Sequence, residues 1–268
     1  RCQDMTGILI DPRSASRFIM ESDCMNESIA NPDIYILSVV LAVLPAILLV
    51  IYFYVRDKNR REPAGMILKA FFLGVLSVVP AVIAALAVEA YIKSVNPWMI
   101  AFIQAFISAA LVEELSKAAV FRLGIYKNSY FDEITDGIVY VAIISLGFAC
   151  FENILYSVGS PIHVALIRGF TAVPGHAIWS GIMGYYFGLA KMNPGNAGGL
   201  FAKGIFLGVL YHGLYDFVLF AGVQPELNEE FGWLAYLIFP ILIVGAVHLL
   251  RLFSRALAAD RETMGAVG

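Results

Sequence analysis

Glu113, Glu114 and Lys117 stand inside an otherwise apolar stretch that reads LVEELSKAAV. A charge within a hydrophobic span is costly unless it meets a partner or a polar cavity, so such residues mark functional sites by default. On a helix, Glu113 and Lys117 lie one turn apart on one face, and Glu114 is rotated by about 100°. One carboxylate can then enter a cavity while the other is held against a neighbouring helix. The structural alternative is a Glu–Lys pair that neutralises itself, with Glu114 at a helix interface.

Other polar residues fall deep in apolar runs further along: Glu152 and Asn153, then His176, then His212 and Asp216. His212 and Asp216 share a helix face, so the aspartate can fix the imidazole tautomer, or both can bind one metal. Phe148 and Glu152 have the same spacing, which predicts a ring walling the pocket that the carboxylate enters. His176 follows Pro174-Gly175, where a kink would free a backbone carbonyl and widen a cavity. Either histidine alone reads as a core hydrogen bond; together with carboxylates at similar depth they read as a site. His163 and His248 lie near span ends and read as interfacial. Ser116 and Ser180 neighbour the ionisable residues without forming a recognisable nucleophile pair, and no H-E-x-x-H pattern is present. The chemistry these residue types suit is activation of water by a carboxylate, with or without a metal.

The elements that must position them are membrane helices. Of 268 residues, 60% are hydrophobic and 15% charged, with a mean hydropathy of +0.78, against about 25% charged in a soluble domain. The apolar residues come in blocks that predict an all-α polytopic membrane helical bundle of about seven transmembrane helices. The blocks cover about 34–55, 64–92, 98–123, 137–158, 163–190, 200–222 and 231–253. The first is long enough to cross about 33 Å of hydrocarbon. The short basic loop from Arg56 to Arg61 and the arginines at 251, 255 and 261 predict an N terminus outside and a C terminus in the cytoplasm. Three segments follow: an extracytoplasmic part over 1–32, a transmembrane domain over 33–256 with its motif core at 97–222, and a cytoplasmic tail over 257–268.

Asp132, Glu133 and Asp136 precede the fourth span and read as capping and dipole residues. Gly184 and Gly188, and Gly204 and Gly208, have the spacing that lets helix backbones approach closely. The three cysteines are too few for a disulfide framework or a cysteine-ligated metal. Cys2 and Cys24 can pair if their segment lies outside the cytoplasm, and Cys150 reads as a small buried residue. The net charge of −3, with no basic patch interleaved with aromatics, gives no case for nucleic acid. The partner expected from composition is the lipid bilayer. Two other classes compete on the residues alone. A proton-coupled transporter would use the carboxylate–histidine relay as an ion path, and a non-catalytic sensor or scaffold would keep the site without using it.

The order Glu113-Glu114-x-x-Lys117, Phe148-x-x-x-Glu152, His176 and His212-x-x-x-Asp216 on successive helices resembles the PrsW family of intramembrane proteases. The context is similar too, with Asp136-Gly137-Ile138-Val139-Tyr140 opening the fourth span and His212-Gly213-Leu214-Tyr215-Asp216-Phe217 in the sixth. The resemblance covers about residues 64–222. The family is distantly similar to the CAAX prenyl proteases, but Glu152 stands where those carry histidine and Asp216 where they carry asparagine, which argues against a prenylated substrate. The resemblance implies hydrolysis of peptide bonds of a membrane protein substrate in or at the membrane, in the type member the first cut of a membrane-bound anti-sigma factor. It implies catalytic roles for Glu113, Glu114, Lys117, Glu152, His176, His212 and Asp216. One glutamate activates water while Lys117 orients the other, and His212, oriented by Asp216, stabilises the oxyanion. Zinc, if used, would be held by His176, His212 and Glu152; glutamate-activated water without metal stands beside it.

Overall fold

The computed structural model describes residues 32–57, 60–90, 92, 96–157 and 160–267. The predicted pairing of Cys2 with Cys24 and the segment 1–31 lie outside them. All described elements are helical: α1 (Pro32–Arg56), α2 (Ala64–Glu89), α3 (Pro97–Gly124), α4 (Ile134–Ser157), α5 (Ile162–Phe170), α6 (Ala172–Met192), α7 (Ala197–Val223), α8 (Pro225–Phe231) and α9 (Ile238–Val267). Short 3₁₀ turns, Pro194–Asn196 and Gly232–Leu237, join α6 to α7 and α8 to α9.

Six described segments are long and apolar enough to cross a membrane, beginning with Ile36–Arg56 and ending with Pro225–Gly265. The remaining expected span, 163–190, is two helices, α5 and α6, broken at Thr171. Helix α6 carries glycines, tyrosines and His176 and is largely buried by its neighbours, so it does not need a lipid-facing apolar surface. The break falls three residues before Pro174. The proline ring clashes with the carbonyl four residues back and leaves no N–H to bond it, so the chain parts one turn upstream of the proline.

Helices α4 and α6 form the centre, with α1, α2, α3, α7 and α9 around them. Small residues set the close approaches. A Cβ on Gly147 would lie 2.0 Å from the Phe71 carbonyl oxygen of α2, and one on Gly184 would lie 2.2 Å from the Gly137 oxygen of α4. Gly188 meets the Ile134 backbone in the same seam, as the four-residue glycine spacing predicts. Helix α3 starts on a defined cap: Asn96 Oδ1 accepts from the Trp98 N–H at 2.9 Å and Pro97 occupies the first turn. The start of α4 is capped partly from far along the chain. Asp136 accepts from the amides of Asp132 and Glu133, while Asp260 of α9 accepts from those of Ile134 and Thr135. Residues 257–267 continue α9, and Asp260 reaches α4 from there.

Candidate active site

The middle of α3 is not an α-helix. Ile103–Leu111 is π-helical, and α-helical geometry resumes at Val112, immediately before the two glutamates. Such wide turns are rare and gather at functional sites. This one changes the direction in which the following turn projects its side chains. Glu113, just after it, shares its surroundings with Glu152 of α4. Both line a cavity of about 340 Å³ between α2, α3 and α4, which Phe148 also walls. Glu113 and Glu152 also line a smaller cavity of about 60 Å³ together with Arg168, His176, His212 and Asp216.

The two glutamates have different surroundings. Glu114 is wholly buried and fully engaged. Its Oε1 takes Lys117 Nζ at 2.8 Å and His212 Nδ1 at 3.1 Å, and its Oε2 accepts from Ser180 Oγ at 2.7 Å. Ser145 lies 2.9 Å from Ser180 and donates to the His176 carbonyl at 2.8 Å, tying this network to the backbone of α6. The Glu113 side chain is 12% exposed and meets Lys117 at 3.3 Å, leaving carboxylate lone pairs toward the cavities. Lys117 is wholly buried, between both carboxylates and 4.2 Å from the centre of the Phe148 ring. Ser116, by contrast, bonds only the Val112 carbonyl of its own helix.

His176 sits between charges of opposite sign, with Nδ1 3.1 Å from Lys117 Nζ and Nε2 3.1 Å from Glu152 Oε2. A lysine ammonium only donates, so Nδ1 accepts here, and Nε2–H donates to Glu152. Arg168 of α5 holds the same Glu152 oxygen at 2.9 Å and Asn153 Oδ1 at 3.1 Å. Asp216 Oδ2 lies 3.2 Å from His212 Nε2, one turn away on α7 as the spacing predicts. Trp179 stacks on the His212 ring, with centroids 5.4 Å apart and planes 22° apart. All seven residues singled out from the sequence thus meet at one place. Ser180, a neighbour of the ionisable residues in the sequence, joins them as a donor to Glu114, and Arg168, Ser145 and Trp179 join them unforeseen. For Arg168 a signal existed, since it is a second intramembrane cation.

The site fits a metal in dimensions and donor chemistry. Glu113, His176 and His212 each present one donor atom, all within 4.8 Å of one another. Two imidazoles and one carboxylate form a zinc-type donor set. The other nitrogens of these rings already meet carboxylates, His176 on Glu152 and His212 on Glu114, the outer-shell pattern that orients metal-binding histidines. The carboxylate grouped with the imidazoles is Glu113, whereas Glu152 is turned to Arg168 and His176. Lys117 occupies His176 Nδ1 and Asp216 occupies His212 Nε2, and both would have to yield those nitrogens to a metal.

An all-helical membrane bundle closed around carboxylates, imidazoles, a buried lysine and a half-buried arginine defines a multi-pass membrane hydrolase. The chain belongs to the PrsW family: the family description "PrsW family intramembrane metalloprotease" matches residues 62–246. It is 39% identical to Protease PrsW of Geobacillus kaustophilus, over 67% of this chain and 78% of that relative. It is 37% identical to Protease PrsW of Bacillus subtilis over 67% and 81%, and 31% identical to that of Clostridioides difficile over 67% and 77%. No solved structure matches the chain. The protein is therefore a peptidase of the cell membrane, and its substrates are membrane-embedded proteins.

Proposed function

We propose that Glu113 is the group that activates water and that Glu114 positions the machinery around it. The observation that carries this is the contrast in their surroundings: Glu114 is saturated by Lys117, His212 and Ser180, while Glu113 faces both cavities. A general base needs a free lone pair within reach of a water and of the scissile carbonyl. Lys117 restrains Glu113 from behind and offers a proton donor beside it. His212, held by Glu114 through Nδ1 and by Asp216 through Nε2, faces the same small cavity, where its Nε2–H, once turned from Asp216, can stabilise the tetrahedral oxyanion. His176 and Glu152, braced by Arg168, hold the opposite wall and can return a proton to the departing amine.

A zinc ion, if bound, would be held by Glu113, His176 and His212; it would supply a water of lowered pKa and polarise the carbonyl. Four carboxylates, those of Glu113, Glu114, Glu152 and Asp216, face two permanent cations, Lys117 and Arg168. Two further positive charges, as protons or as one divalent ion, would balance the site. The larger, mostly apolar cavity between α2, α3 and α4 suits a substrate helix arriving from the lipid and unwinding beside Glu113. Such a substrate would be a single-span regulator, for example an anti-sigma factor cut first at this step. The orientation proposed is N terminus outside and C terminus in the cytoplasm, from the basic loops.

Purified full-length protein mixed with a panel of single-span substrates tests the reading. Discrete products mapped by mass spectrometry to the membrane segment or its border are expected. About one zinc per chain and loss of cleavage on chelation would select the metal form, while full activity in metal-free protein would select glutamate-activated water. No cleavage of any substrate by folded protein, together with proton-driven solute uptake in vesicles, would replace it with the transporter reading.

A further inference from the structure

A second group of acids lies away from the hydrolytic site, at the end of the bundle that carries the basic loop. Asp57 follows α1, Glu62 precedes α2 and Asp136 lies in the first turn of α4. Each presents a carboxylate oxygen within 4.8 Å of the others. They are buried, with exposures of 1%, 5% and 0% respectively. Acids alone would prove nothing, but these are underused. Both oxygens of Asp57, Asp136 Oδ1 and both oxygens of the adjacent Glu133 have no hydrogen-bond partner. Buried polar atoms are nearly always paired, and a buried carboxylate left unpaired is among the costliest arrangements in a fold.

From this geometry we infer a binding site for one hard divalent cation, of the magnesium, calcium or manganese class, held by Asp57, Glu62 and Asp136. The donors are all carboxylate oxygens, which suit hard ions and do not favour zinc over them. Asp57 and Asp136 Oδ1 supply the lone pairs, with the Arg60 backbone N–H the protein donor nearest Asp57 and Glu62 the group that faces Asp136. Glu62 is oriented by the Tyr140 hydroxyl, which donates to it from one turn further along α4. Electrostatics agrees: Asp57 is crowded by the like charges of Glu62 and Asp260, which Arg61 only partly offsets. Burial pushes Glu133 up to about 7, with the charges of Asp260 and Asp57 adding to it. Groups so placed gain by a proton or by a cation. Arg60, at this end, is committed to Asp132.

The ion would join chain segments that otherwise repel. It would fasten the end of α1 and the α1–α2 link to the first turn of α4. Asp260 of α9 caps that same turn. Helix α4 carries Phe148 and Glu152, so the ion would fix one end of the helix that builds a wall of the hydrolytic site.

The test uses the full chain in detergent, stripped with EDTA, in a His176→Ala/His212→Ala background that removes the imidazoles of the other site. Titration with Mn²⁺ followed by electron paramagnetic resonance, and with Mg²⁺ or Ca²⁺ by calorimetry, should show one saturable ion per chain. Asp57→Asn and Glu62→Gln should each weaken it at least tenfold. Thermal unfolding guards against a variant that merely fails to fold. In EDTA, Asp57→Asn should melt above its parent, because repulsion is relieved. With saturating ion the parent should gain about 3–6 °C and the variant little. No saturable binding by the parent, or binding undiminished in both variants, overturns the site. So does an unchanged melting temperature with added ion, which would mean that a proton shared between Glu62 and Asp136 settles the cluster instead.

Discussion

Replacing Lys117 by methionine keeps the length and the apolar stem of the side chain while removing the charge. Lys117 Nζ lies 2.8 Å from Glu114 and 3.3 Å from Glu113 and is wholly buried. At an effective dielectric of about 20, those two attractions come to roughly 6 and 5 kcal/mol. Much of this is offset by the cost of burying the ammonium, which the substitution removes. What remains is the penalty of leaving Glu114 in a dry site with only His212 and Ser180 as partners, and breaking such a pair costs about 3–5 kcal/mol. The expected drop in melting temperature is about 10 °C for a chain of this size. The double variant Lys117→Met/Glu114→Gln should recover at least about 2 kcal/mol, since the orphaned charge is gone and the residues are in direct contact. Thermal unfolding of the purified wild type, both single variants and the double variant closes the cycle. A Lys117→Met protein that melts within about 2 °C of wild type, or a double variant no better than additive, would refute the view that Lys117 neutralises a buried Glu114.

Other outcomes follow from the same contacts. Arg168→Gln should lower kcat by roughly tenfold or more, because it frees Glu152 from the geometry it gives His176; an unchanged kcat would make Arg168 a packing residue only. Ser180→Ala should cost about 1–3 kcal/mol of stability by leaving Glu114 Oε2 without its donor, which unfolding curves would show. Gly147→Ala should destabilise by about 2–3 kcal/mol against the Phe71 backbone, whereas Gly198→Ala, with nothing near its Cβ, should stay within about 0.5 kcal/mol. In a chain with its three cysteines replaced, a cysteine at the exposed Asn196 should label only from the cytoplasm and one at the exposed Asn228 only from outside; the opposite pattern reverses the orientation.

The membrane fold and the membership of the site were legible because burial in an apolar span makes every ionisable residue conspicuous. Glu113, Lys117, Glu152, His176, His212 and Asp216 stand out in text that is otherwise hydrocarbon. Depth was not legible. Counting along helices gives depth only to within a few residues, whereas the structure places Glu113 and Glu152 on the walls of the same cavities. The break before His176 was expected at Pro174 and lies at Thr171, because a proline disrupts the turn behind it. Arg168 carries a cue only in its charge near the end of a span, whereas its role comes from Glu152 on another helix. The capping of α4 by Asp260 joins residues more than a hundred positions apart, a pairing that no local pattern announces. For the same reason Glu133, expected to help cap that helix, instead sits buried with neither oxygen bonded.

The central claim is that Glu113 acts on water and Glu114 on its neighbours. Its most direct test is kcat and KM per folded molecule for Glu113→Gln and Glu114→Gln, each compared with wild type on one mapped substrate. Glutamine preserves shape and removes the base, so Glu113→Gln should lose roughly 10²-fold or more in kcat with KM little changed, while its melting temperature holds. Glu114→Gln should lose stability first and keep measurable turnover in the fraction that folds. Wild-type kcat in folded Glu113→Gln would contradict the account.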